Sequence, residues 1–148
     1  MEVYFYINLT NPVIFLCELL QKILDSSEGL VTILTKPDEA YQLELSDALW
    51  VAVPNSFLPN VISKDDESDN LPLSPILITA NPLNVASSCS PIWINLSEKK
   101  LEAPFIKKQL LLFSAEAEEL VKARKVYSYY LRKGHSLKYF DMSSQRVS

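Results

Sequence analysis

The chain has 148 residues, 48% of them hydrophobic, which is enough apolar material for a proper core and reads most simply as one folded domain spanning 1–148. No apolar stretch reaches the ~18 residues needed to span a bilayer, and the opening "MEVYFYINL" lacks the basic-then-apolar layout of a signal peptide. A soluble, cytoplasmic protein without membrane contact is therefore expected. The net charge of −4 hides an asymmetry: residues 1–121 carry 7 Lys and Arg against 17 Asp and Glu, whereas 122–148 carry 7 against 1. A basic end on an acidic body argues against a generally nucleic-acid-coating protein. It leaves two readings, a localised surface for an anionic partner or a solvated helix face. Cys17 and Cys89 have no paired spacing and read as reduced thiols.

In chain order, "VYFYINL" (3–9) is aromatic and β-branched, as a strand should be. "TNPVIFLCELLQKILDSSEG" follows as a helix with a Thr/Asn cap, Pro12 near its first position and Gly29 as its stop. "LVTILT" (30–35) is a second strand, and "KPDEAYQLELSDALW" a second helix, opened by Pro37 and by acids that suit its positive end. Helix then gives way to "VAVPNSFLPN" (51–60), too apolar and too proline-stiffened for an ordinary loop. The prolines restrict the backbone around Phe57 and Leu58, so those side chains can be held without regular secondary structure. Trp50 and Leu58 are read as capping the core. "SKDDESDN" (63–70) is charged enough to be an exposed loop. "PILITANP" (75–82), "PIWINL" (91–96) and "QLLLFS" (109–114) are further strands, "AEAEELVKARKVYSYYLRKG" a long helix stopped by Gly134, and "HSLKYFDM" a candidate edge strand before a flexible tail at 142–148. Continuous apolar strands alternating with helices predict a three-layer α/β/α fold, with a mainly parallel sheet of five or more strands.

Such a Rossmann-like layout invites a nucleotide, but the chain's only two glycines, Gly29 and Gly134, do not follow a strand to open a helix. Phosphate-cradling loops need glycine where backbone approaches ligand, so no nucleotide-binding loop is possible and no cofactor is implied. The single histidine, His135, is expected to face solvent and has no Cys or His partner for a metal. Asp38, Glu39, Glu98 and Glu102 read as a helix first turn and a polar loop, not as a general acid and base. No residue asks for catalysis.

On a helical wheel of ~100° per residue, Ala117, Leu120, Val121, Tyr127 and Leu131 form an apolar stripe, with Arg124 in its middle. An unpaired buried guanidinium is expensive, so Arg124 must be paired or must line an opening. Its helical neighbours offer no carboxylate. One reading is a structural ion pair with an acid elsewhere. The other is a receptor for an incoming carboxylate, with Tyr127 and Phe113 walling a pocket for a peptide that ends in an apolar residue. Lys122 has Glu118 four residues before it, an ordinary surface pair.

Several stretches together resemble the chi subunit of bacterial DNA polymerase III: "ALW" followed after five residues by "SFLPN", then "PILITANP", "WINL" and the closing "ARKVYSYYLRKGHSL" (123–137). The likeness runs from "FYINL" to Leu137, and the ALW-to-SFLPN stretch is its most specific part. The resemblance implies a non-catalytic accessory of the clamp-loader assembly. Members bind the acidic, Phe-ended C-terminal tail of single-stranded DNA-binding protein, and on another surface the psi subunit, so that their association with DNA is indirect.

By the same resemblance, the tail site is built around Arg124, with Tyr127 one turn on and Phe57 from the SF motif. Phe113 stands where the family has a valine, and Leu120 and Ser128 stand at two positions that are basic in the family. Those departures remove two positive charges, which implies either a lower affinity for an acidic tail or reliance on Lys122, Lys125 or Lys133 instead. Pro59 is grouped with Phe57 as part of the pocket wall. The alternative function is direct binding of single-stranded nucleic acid by the basic C-terminal piece, with Tyr127, Tyr129, Tyr130 and Tyr139 as stacking platforms.

Overall fold

The structure is a computed structural model and describes residues 1–26, 30–51, 58–62, 75–81 and 90–143. Its elements are β1 (Glu2–Leu9), α1 (Pro12–Asp25), β2 (Val31–Leu34), α2 (Glu39–Trp50), β3 (Asn60–Ile62), β4 (Ile76–Thr79), β5 (Ile92–Asn95), β6 (Lys108–Ser114), α3 (Ala117–Arg132) and β7 (Ser136–Asp141). The strands form one seven-stranded sheet in the order β3-β4-β2-β5-β6-β1-β7, and every pairing is parallel. The expected three-layer α/β/α architecture is what the chain adopts.

Local chemistry explains the helix limits. Asn11 caps α1 by accepting the Ile14 N–H at 3.2 Å, with Pro12 in the first turn where no N–H is needed. The helix closes at Asp25, with the Ser26 N–H on the Lys22 carbonyl; Gly29, its expected stop, lies outside the described residues. Asp38 caps α2 through the Tyr41 N–H at 3.1 Å. Gly134, at φ +83°, ends α3 in a six-residue closing turn: the His135 N–H reaches the Tyr130 carbonyl and the Gly134 N–H the Leu131 carbonyl.

Every residue of β2, β4 and β5 is buried, which is why these strands are written as mainly apolar runs, with Thr32, Thr79 and Asn95 as buried polar exceptions. On one face Val31, Ile33, Ile76, Ile78, Ile92, Ile94 and Leu110 pack against α1 and α2. The other face is split. Val3, Phe5, Leu111 and Phe113 meet α3, whereas Leu34 and Trp93 lie under Leu101 and Ile106 of the connection between β5 and β6. No helix among the described residues is long and apolar enough to cross a membrane.

The stretch from Ala48 to Asn60 resolves differently from expectation. Leu58 is buried and returns its N–H to the Leu49 carbonyl at 3.0 Å, so it does cap the core. Trp50 does not, being 45% exposed at the end of α2. Two residues after Leu58 the chain enters β3, a strand three residues long that periodicity does not register. The acidic loop 63–70 and residues 144–148 of the expected tail lie outside the described residues. Of the tail, Ser143 is tied back by its N–H to the Asp141 carboxylate at 3.0 Å.

Candidate functional site

The rotation of α3 about its axis decides what Arg124 does, and a buried polar network sets that rotation. The Tyr130 hydroxyl accepts the Leu101 N–H at 2.8 Å, bonds the Leu101 carbonyl at 3.0 Å and accepts from the Gln109 amide at 3.1 Å. Gln109 in turn accepts from the Asn95 amide at 2.9 Å. Burial pushes the Tyr130 hydroxyl above its usual pKa, which keeps it protonated and able to donate. With Tyr130 and Ala123 turned fully inward, Val121 and Leu131 become solvent-facing, 47% and 58% exposed. The predicted apolar stripe is therefore corrected by roughly a quarter turn. Arg124 lies on the shoulder of the packed face, exposed, and not in its middle.

That shoulder forms one wall of a cleft of about 530 Å³. Leu120, Arg124, Tyr127 and Ser128 share the flank of α3; Phe5, Ile7 and Asn8 of β1 form the floor, and Tyr139 and Asp141 of β7 the far side. Parallel register sets Phe5 beside Tyr139 and Ile7 beside Asp141, so all four side chains belong to the same face of the sheet. The Phe5 ring sits 5.2 Å from Tyr127 and is stacked on Phe113 at 6.2 Å. Three aromatics thus make a rigid back to the cleft. Asn8, at φ +60°, occupies the irregularity where β1 leaves its register with β6, and its amide donates to the Asp141 carboxylate at 2.9 Å. Asparagine is among the few residues that tolerate that backbone geometry.

Among the described residues, Arg124 has no ion pair and no hydrogen bond, and it is the only cation lining the cleft. Of its two sequence readings, the structural ion pair finds no acid among the described residues, and the opening is present. Tyr127 lines the same space, half-buried. Phe113 does not line it but supports it from behind through Phe5.

The other candidates lie elsewhere. Lys122 faces away, toward a second groove, where its ammonium meets Glu98 at 3.1 Å and Glu119 at 3.5 Å; Lys36 reaches the same Glu98 at 2.9 Å. Its partners are thus not Glu118, because Glu98 comes in from the connection after β5. Lys125 lines that second groove as well, and Lys133 stands over the Tyr129 ring at 5.6 Å. None of the three replaces the positive charge absent at Leu120 and Ser128. Pro59 precedes β3, which is five strand positions from β1, or roughly 24 Å at the usual strand spacing. Pro59 does not line the cleft beside Arg124, and the wall expected of the two together is not formed there. Phe57 lies outside the described residues.

The tyrosine platforms are also mostly committed. Tyr130 is fully buried, Tyr127 is packed on Phe5, and Tyr129 donates to Glu102 at 2.6 Å beneath the Lys100 ammonium at 4.4 Å. Only Tyr139 stands open, at 56% exposure. His135 does not face solvent freely: its Nε2 lies 2.7 Å from Glu102, and its ring sits edge-on to Tyr130 at 5.7 Å.

Sequence reasoning missed Phe5, Asn8 and Asp141, and named Tyr139 only as a stacking platform and not as part of this cleft. Their signal was the alternation within β1 and β7, which assigns a face but not the helix above it. The model of the family described as DNA polymerase III chi subunit, HolC, matches residues 1–138. No curated protein matches the chain.

Proposed function

The chain belongs to the DNA polymerase III chi subunit family, an accessory subunit of the replicative polymerase, and on that premise we propose that the α3 cleft receives the acidic, Phe-ended C-terminal tail of single-stranded DNA-binding protein. The protein would then join the clamp-loader assembly, through a psi subunit where the organism has one, to DNA that its coating protein already covers. Such a bridge needs binding surfaces and no catalysis.

One observation carries the reading. Arg124 is an exposed guanidinium, without an ion pair among the described residues, at the mouth of an aromatic-backed cleft. A terminal carboxylate can take its two forked N–H donors while the apolar side chain enters toward Tyr127 and Phe5. A charge-assisted hydrogen bond contributes about 1.5–3 kcal/mol, and burying a Phe ring about as much again. After the cost of ordering a flexible tail, a dissociation constant in the roughly micromolar range follows.

The test is a titration with the C-terminal peptide of the same organism's single-stranded DNA-binding protein, beside a control peptide lacking the last Phe. Arg124→Ala is expected to weaken the full peptide at least roughly tenfold, about 1.4 kcal/mol, with an unchanged thermal midpoint. Equal binding by parent and variant would remove the site from Arg124.

A further inference from the structure

The two edges of the sheet are unlike. β3 is three residues long, whereas β7 runs for six and ends the sheet beside the cleft. β7 pairs only with β1; on its other side the backbone of residues 136–140 meets no partner among the described residues. An open edge of that length is a template for another strand, and proteins normally cover or blunt one.

We propose that β7 takes up the extended segment leading to the cleft, so that an acidic peptide adds an eighth strand, parallel to β7, before its last residue turns in toward Arg124. This rests on the reading of the cleft as a C-terminal tail site. The direction follows from placement. The cleft is lined by Ile7 and Asn8 late in β1 and by Tyr139 and Asp141 late in β7, so it opens at the carboxyl end of both strands. A peptide whose terminal carboxylate lies there can follow the edge only by running the same way as β7. Six residues of strand span roughly 20 Å, which sets the length of tail the edge can engage.

Charge selects the occupant. Arg124 is the cleft's only cation among the described residues and faces Asp141 across it, so the acidic residues upstream of the terminal one find little attraction inside. The edge offers more. β7 carries Lys138 itself, and Arg132, the last residue of α3, stands exposed shortly before it. Backbone pairing would hold the peptide irrespective of its side chains, while these cations favour an acidic one.

The experiment uses the full chain and a synthetic nine-residue peptide with four aspartates, ending in Leu-Phe with a free carboxylate. Two derivatives are N-methylated at alternate amides upstream of the last two residues, one on the odd positions and one on the even. In strand addition only alternate peptide N–H groups bond to β7, so one derivative is expected to bind at least roughly tenfold more weakly and the other much as the parent peptide does. Amide hydrogen exchange along β7 should slow at alternate residues when the parent peptide binds. Arg124-dependent binding with equal affinity for both derivatives and unchanged exchange at β7 would overturn strand addition and leave the cleft reading standing. Absence of any binding would overturn both. Protection of β7 that rises with protein concentration without peptide would assign the edge to a second copy of the chain instead.

Discussion

Glu102 shows how one side chain carries more than its sequence position announces. It accepts from His135 at 2.7 Å and from Tyr129 at 2.6 Å, and these donors, His135 first, hold its carboxyl below the ordinary value of 4.5. Glu98 is held low in the same way by Lys36 and then Lys122. A carboxyl with a lowered folded pKa stabilises the fold fully above its unfolded value, and that contribution is lost as pH falls through the folded value. Glu102→Gln is therefore expected to flatten the acid side of a stability-versus-pH curve below about pH 4.5, measured by urea unfolding, with a smaller change in its slope near neutrality. A mutant curve parallel to the parent's below pH 4.5 would contradict the pairing. Nothing in the sequence brings Glu102 to His135, because the contact crosses from the β5–β6 connection to the start of β7. Arg124 was more legible: an arginine amid apolar helical neighbours is visible on a wheel, although the wheel misplaced it by part of a turn.

At the scale of the element, α3 positions the site, and its end is built on Gly134. A Cβ there would meet nothing within 4 Å, so the cost of Gly134→Ala is backbone strain at φ +83° and not a clash. The substitution is expected to destabilise by about 1 kcal/mol, roughly 2–4 °C in Tm, and Gly134→Asn by less. A thermal melt of the two variants decides it; an unchanged Gly134→Ala would mean that the helix end is not held in this geometry. The helices and the longer strands were legible in the sequence because caps, prolines and apolar runs each mark them locally. β3 was not, since three residues carry no period. The turn of α3 was not legible either. It depends on one hydroxyl finding Leu101 and Gln109, a contact between segments that sequence spacing does not relate.

At the scale of the whole molecule, the acidic body and the occupied tyrosines together weigh against direct binding of single-stranded nucleic acid. With Tyr130 buried and Tyr127 and Tyr129 packed or bonded, Tyr139 alone of the four C-terminal tyrosines stands open, in place of a row of stacking platforms. Binding of the isolated chain to a fluorescent thymidine oligonucleotide is expected to be absent in the micromolar range at ~0.15 M salt, where counterion release gives an acidic protein little affinity. Tight, steeply salt-dependent binding in an anisotropy titration would restore the nucleic-acid reading. The order of the sheet also bears on when the protein becomes competent. β1 lies between β6 and β7, Glu2 pairing with Lys108 on one side and Ser136 on the other. At ordinary rates of translation the first strand leaves the ribosome on the order of ten seconds before its first neighbour exists. Its aromatic run spends that interval as an unpaired apolar segment, a natural client for chaperones. The cleft, floored by β1 and closed by α3 and β7, takes shape only after those later elements have been made.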